Sequence, residues 1–125
     1  MTKQMYKDLG EIVYLDLEKV EIFGQEKYKR ILDIAKMVRD IQSGADFPPV
    51  LVDMIDEKTY ILNRLMDVLD NNGTNYGGHH RALSHWIAGV PLKCAVRNNK
   101  HDHNYVNQHT NIKNIILYNK WEEIS

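Results

Sequence analysis

Residues 75–82 have the sequence NYGGHHRA. The stretch Ala82–Ala88, which begins at the last of these residues, has the apolar spacing of a helix. Two consecutive glycines let the backbone approach a ligand closely, and the first turn of a helix offers N–H groups without an intrahelical partner. Arg81 carries a planar guanidinium suited to phosphate or carboxylate, and His79 and His80 supply hydrogen-bond donors. The pattern is typical of an anion-binding loop, and a plain turn with solvated basic residues fits it equally well.

Patterns of short strands and helices surround this segment. Apolar runs and β-branched residues predict strands, and apolar spacings of three and four residues predict helices. The predicted strands are Ile12–Leu17, Val50–Ile55, Thr59–Leu62 and Leu92–Val96, and the predicted helices are 24–43, 82–88 and 112–121. Residues 63–69 fit either a strand or a helix, and the polar stretch Arg97–Asn111 is interpreted as a long surface loop.

Length and composition indicate one small α+β domain with a mixed sheet and a few helices. The chain has 125 residues, of which 43% are hydrophobic and 26% charged, as in globular proteins. We assign 1–125 to a single domain with a core at 11–97, a loop at 97–111 and a C-terminal helix at 112–121. A formal charge of −1 excludes a protein that coats nucleic acid or anionic membrane through its overall charge.

The expected location is the cytoplasm. No apolar run approaches the roughly 18 residues of a membrane helix, and the first ten residues lack the apolar core of a signal peptide. The chain has one cysteine, Cys94, which cannot form an internal disulfide. A reducing compartment and no membrane partner are therefore expected.

Three segments together resemble the ParB/sulfiredoxin-like superfamily. These are a Pro-Pro strand at Pro48–Val52, the loop Gly77–Ala82, and a strand after a glycine and a proline at Gly89–Val96. With the preceding strand and helix, the resemblance covers roughly residues 11 to 97. It implies a domain that binds nucleotide phosphates on the loop, usually with Mg²⁺ and a nucleoside tri- or diphosphate.

The resemblance implies a set of phosphate-binding residues and leaves the reaction open. The phosphate-binding residues would be Gly77, Gly78, His79, His80 and Arg81. If the chain is an enzyme, phosphoryl transfer or nucleotide hydrolysis is expected, because the loop offers positioning and charge neutralisation. Sulfiredoxin chemistry is not expected, because His79 stands where that family has its reactive cysteine.

The remaining candidate residues are acids and histidines. Glu26 and His80 are the catalytic candidates, and Asp53 is the candidate Mg²⁺ ligand, although a helix-start charge and a solvated strand-end acid are commoner roles for such acids. The three histidines near the C-terminus could share a metal, but a solvated loop is favoured: His101, His103 and His109.

Two alternatives remain open beside nucleotide binding. A DNA-associated protein, either a ParB-like nuclease or an adaptor, is one, because basic residues at 27–39 and 97–100 could edge a groove. The other is a catalytically inactive interaction module. The sequence does not determine the nucleotide, the acceptor or the oligomeric state.

Overall fold

The computed structural model of the chain describes residues 10–63, 78–98 and 106–119. The strands are β1 Glu11–Leu15, β2 Glu21–Gly24, β3 Tyr28–Arg30, β4 Val50–Asp56, β5 Thr59–Leu62, β6 Leu92–Arg97, β7 Thr110–Asn111 and β8 Ile116–Tyr118. The helices are α1 Ile31–Gln42, α2 Gly78–Ala88 and the short 3₁₀ helix Ile112–Asn114. None of the described helices has the length and hydropathy needed to cross a membrane.

The main sheet has six strands in the order β1-β6-β4-β5-β2-β7. Its pairing is mixed, because β4 runs parallel to β6 and β2 runs parallel to β5, whereas the other neighbours are antiparallel. A separate parallel pair joins β3 to β8. The fold is therefore α+β with a mixed sheet, as the sequence predicts.

One face of the main sheet carries the hydrophobic core. Val50 and Val52 of β4 pack in one buried cluster with Ala82 and Leu83 of α2, and α1 lies beside α2 on the same face. Successive strand residues point to opposite faces, so Leu51 packs on the other side of the sheet. The sheet thus separates two environments, and α2 belongs to only one of them.

Several predicted elements are confirmed with small changes of boundary. The structure has strands where they are predicted in β1, β4, β5 and β6, and the predicted 82–88 helix begins earlier, at Gly78. Of the ambiguous stretch 63–69, all but Asn63 lies outside the described residues.

Two predicted helices need correction. The helix predicted over 24–43 begins only at Ile31, because residues 28–30 form β3 against β8. The helix predicted over 112–121 is wrong where the chain is described: a single 3₁₀ turn is followed by β8. The predicted loop 97–111 also contains a buried residue, Val106, and ends in β7.

Candidate functional site

His79 joins the first turn of α2 to the connection between β2 and β3. Its Nε2 accepts hydrogen bonds from the backbone N–H groups of Gln25 (3.0 Å) and Glu26 (3.2 Å). Nitrogen that accepts two N–H groups carries no proton, so the ring is the Nδ1–H tautomer and donates through Nδ1 to the Glu26 carboxylate at 2.8 Å. Both nitrogens are therefore engaged within the protein, and the side chain acts by positioning rather than by contacting an anion.

Gly24 allows the His79 ring to lie against the end of β2. A Cβ at this position would lie 2.7 Å from Cδ2 of His79 and 2.9 Å from Cδ1 of Leu62. Carbon atoms cannot approach each other this closely, so the His79 contact requires a residue without a side chain at position 24. Gly24 thus belongs to the site although it lies more than fifty residues from the loop in sequence.

Glu26 is the centre of a charged cluster. Besides the His79 hydrogen bond, its Oε2 lies 2.6 Å from the ammonium of Lys29, which is buried, whereas half of the Glu26 side chain is exposed. The hydrogen bond from His79, together with the one from Lys29, lowers the pKa of Glu26 from 4.5 to about 2. A carboxylate with this pKa is ionised throughout the physiological range and is a weak general base.

His80 lies beside this cluster in a buried position, with 9% of its surface exposed. Burial, reinforced by the positive charge of Lys29, lowers its pKa from 6.5 to about 4. The imidazole is therefore neutral at pH 7 and offers one donor and one acceptor. His80 and Lys29 together place a hydrogen-bonding ring and a cation next to the first turn of α2.

Arg81 is turned into the protein. It is 1% exposed, and its Nη1 donates to the backbone carbonyls of Pro48 (2.7 Å) and Pro49 (3.5 Å). The guanidinium thus ties α2 to the segment that enters β4. In this geometry Arg81 holds the loop in place, and its fork is not directed at solvent.

Asp53 does not lie with the other candidates. It follows Val52 in β4, so it projects from the sheet face opposite α2, where Asn63 donates to both of its carboxylate oxygens at 3.2 and 3.3 Å. Among residues 10–63, 78–98 and 106–119, no three His, Cys, Asp or Glu side chains come together as a metal site. Glu26 and Asp53 therefore lie apart, and the role of Asp53 as a Mg²⁺ ligand stays a prediction.

The other predicted site residues are only partly described. Gly78 is the first described residue of α2, and Gly77, His101 and His103 lie outside the described residues. His109 is described, and its backbone N–H donates to the carbonyl of Val106.

Two positions of the candidate site are not predicted by the sequence analysis. Lys29 is one of the basic residues at 27–39 that could edge a groove, yet it is buried in β3 with its ammonium on Glu26. Gly24 was assigned to a helix start. No local pattern marks either position, because the contact of Gly24 with His79 is long-range and Lys29 is linked to His79 only through the Glu26 carboxylate that both contact.

Comparison with known proteins gives no relative: no family model, curated protein or solved structure matches this chain. Function has to be argued from the site itself.

Proposed function

We propose that this chain binds a nucleotide through its phosphate groups at the first turn of α2. The observation that carries the proposal is the buried ammonium of Lys29, which contacts the same Glu26 oxygen as Nδ1 of His79 in that turn. The N-terminus of a helix attracts anions through its free N–H groups and its dipole. A cation beside it adds to that attraction, and the two together favour a phosphate.

The ion pair of Lys29 with Glu26 supports the same conclusion. Removing an ammonium from water is costly unless it is paired, and its partner here is a half-exposed carboxylate. A phosphate oxygen that displaces the Glu26 carboxylate would supply an equivalent negative partner. The proposed site is thus one in which a phosphate exchanges with Glu26 for the Lys29 ammonium.

Each residue of the cluster has a distinct part in this proposal. Lys29 supplies charge, and backbone N–H groups of the first α2 turn supply donors. His79 and Arg81 fix the loop from within. Glu26, with a pKa of about 2, and His80, with one of about 4, are both poorly matched to proton transfer at pH 7, which favours binding over phosphoryl transfer.

Binding can be tested by thermal unfolding and calorimetry with ATP, ADP, CTP and GTP, with and without Mg²⁺, with inorganic triphosphate and adenosine as partial ligands. A ligand at 100 times its dissociation constant stabilises a protein by about 2.7 kcal/mol. We expect triphosphate to stabilise the protein and adenosine alone to have little effect, because the proposed contacts are to phosphate.

Lys29→Gln is the decisive variant, and Lys93→Gln is its matched control. Both lysines lie 2.6 Å from a carboxylate, but Lys93 pairs with Asp46, away from the first turn of α2. We expect Lys29→Gln to weaken triphosphate binding at least tenfold, as for a charge-assisted contact, and Lys93→Gln to leave it unchanged. Equal weakening in both variants, or no binding by the unaltered protein, contradicts the proposal.

Thermal unfolding with a short DNA duplex at two salt concentrations distinguishes nucleotide binding from the two alternative functions. Salt-sensitive stabilisation by DNA without any effect of nucleotides would favour a DNA-associated protein. No effect of either ligand would favour an interaction module.

A further inference from the structure

A cavity lies at the end of α2 opposite the proposed nucleotide site, where the C-terminal ends of both long helices meet. Its volume is about 230 Å³. The end of α1 contributes Ile41 and Gly44, and the turn after α2 contributes Val90 and Pro91. A smaller cavity of about 160 Å³ adjoins it and shares His85, Val90 and Pro91. Nothing in the proposed nucleotide site belongs to it, so the two sites can be tested independently.

His85 is the polar group common to both cavities. Its Nδ1 lies 2.6 Å from the carbonyl oxygen of Arg81, and a carbonyl only accepts, so Nδ1 carries the proton. Burial lowers the pKa of His85, so the ring is neutral at pH 7 and its Nε2 keeps a lone pair. Among the described residues, that Nδ1 contact is the ring's hydrogen bond. Nε2 therefore has no hydrogen-bond partner among the described residues, and the ring that carries it lines the cavity.

The walls around His85 are apolar and aromatic. Phe47 meets the imidazole edge to face, with ring centroids 6.2 Å apart and an angle of 81° between the planes. Ile41, Pro48 and Leu92 line the cavity as well, and Tyr14, 64% exposed, lies at its mouth. Aromatic rings favour offset or edge-to-face neighbours, so a further ring fits these walls better than a chain of polar atoms.

The charges at the rim oppose ligands of either sign. Lys93 and Asp46 both line the cavity and neutralise each other at 2.6 Å. An anion would meet Asp46 and the carbonyl ends of α1 and α2, where the helix dipole is negative. A cation would lose its water shell at a rim whose carboxylate, Asp46, already has Lys93 as its partner. An uncharged ligand avoids both costs.

We propose that this cavity binds a small neutral aromatic molecule that donates an O–H or N–H hydrogen bond to Nε2 of His85, a phenol being the simplest member of the class. The ring packs against Phe47 and the proline side chains, and its donor is directed at the imidazole. The cavity has room for a single substituted ring and not for a nucleotide.

The test uses 4-methylphenol and 4-methylanisole, which share a ring and differ in the O–H donor. Ligands of this size bind with millimolar dissociation constants, on the order of 1–10 mM. Binding is followed by ¹⁵N–¹H spectra of the full chain, including the His85 ring nitrogens. We expect 4-methylphenol to bind three- to tenfold more tightly than 4-methylanisole, as one neutral hydrogen bond implies, roughly the net contribution of such a bond. Benzoate and benzylamine should bind more weakly than either.

Two variants and one control make the result specific. His85→Asn removes the Nε2 acceptor and should abolish the preference for 4-methylphenol, whereas His109→Asn, outside the cavity, should retain it. Ala45→Leu narrows the cavity from an exposed position without touching His85, and should weaken both ligands at least fivefold even if His85→Asn fails to fold. Equal affinity for the two ligands, binding unaffected by Ala45→Leu, or no binding at 30 mM would overturn the proposal.

Discussion

At the scale of single residues, the contact of His79 with the chain at 24–26 explains why position 24 is glycine. We expect Gly24→Ala to destabilise the protein by about 1–3 kcal/mol, because the new methyl group overlaps the His79 ring and Leu62. The ring cannot move aside without losing the N–H groups of Gln25 and Glu26. Urea unfolding measures the cost.

A double-mutant cycle shows whether His79 is the cause. His79→Ala alone should cost about 2–4 kcal/mol, since two backbone N–H groups lose their acceptor. With that ring absent, adding Gly24→Ala should cost clearly less than it does in the unaltered protein. If the free-energy costs of the two substitutions were additive, a contact other than the one with His79 would account for the cost of Gly24→Ala.

His80 makes stability depend on pH between about 4 and 6.5. Its folded pKa of about 4 lies below the ordinary histidine pKa of 6.5, so the unfolded chain binds a proton first as the pH falls. Stability from the neutral ring is complete above pH 6.5 and is lost progressively down to about pH 4. We expect His80 to contribute a loss of up to about 3 kcal/mol over this range; His80→Phe should remove that share and leave the part due to His85, whose pKa burial also lowers.

Glu26 acts in a lower and separate pH window. Its folded pKa of about 2 lies below the ordinary glutamate pKa of 4.5, so its contribution to stability is present above pH 4.5 and is lost as the pH falls towards 2. Because half of the side chain is exposed, we expect only about 1 kcal/mol after allowance for solvent screening. Glu26→Gln should flatten stability below pH 4.5 and leave the His80 window in place. Loss of both windows in Glu26→Gln would show that the two groups do not titrate separately.

At the scale of elements, Arg81 fastens α2 to the start of β4. Replacing Arg81 with Met keeps much of the buried volume but removes the hydrogen bonds to the carbonyls of Pro48 and Pro49. We expect Arg81→Met to lower the free energy of unfolding by about 2–4 kcal/mol, measured by urea denaturation. Arg30→Met, at an exposed position, should change it by less than about 0.5 kcal/mol. If Arg81→Met were as stable as Arg30→Met, the hydrogen bonds of Arg81 to Pro48 and Pro49 would contribute nothing measurable to the free energy of unfolding.

The elements that the sequence predicts well are those defined by local pattern. Strands β4 and β5 have compact apolar runs separated by a polar turn, and their bounds agree closely with the prediction. The C-terminal segment misleads because Ile112, Ile115 and Ile116 have helical spacing. Ile112 and Ile115 are indeed buried, but Ile116 is 50% exposed and pairs with Tyr28 in a parallel ladder. That pairing joins segments far apart in sequence, which no local pattern reveals.

The candidate site also combines features that local sequence predicts with features that depend on long-range contacts. The residue types at 78–81 indicated an anion-binding turn, but the direction of each side chain depends on packing. Arg81 points to the Pro48 carbonyl, and His79 to the backbone of residues 25 and 26. Lys29 reaches the site only because β3 replaces the first predicted turn of α1. The sequence thus identifies the polar residues of the site by type, whereas their hydrogen-bond and ion-pair partners are known only from the tertiary structure.

At the scale of the whole molecule, Cys94 reports on global unfolding. It lies in β6, between β1 and β4, opposite Val13 on one side and Val50 on the other, and is fully buried. Burial also raises the pKa of its thiol, so little thiolate forms in the folded state. A reagent such as dithionitrobenzoate can therefore reach this sulfur only when the sheet opens.

We expect labelling of Cys94 in the folded protein to be at least about 1,000-fold slower than in the unfolded chain, as a stability of about 5 kcal/mol implies. If opening is global, the logarithm of the labelling rate should rise linearly with urea, with the slope of equilibrium unfolding. A ligand that binds the folded state should slow labelling in proportion to its own stabilisation, so triphosphate and 4-methylphenol can be compared on one scale. A labelling rate that does not change with urea would instead mean that β6 opens locally, and that the β1–β6 edge separates from the rest of the sheet before the molecule unfolds.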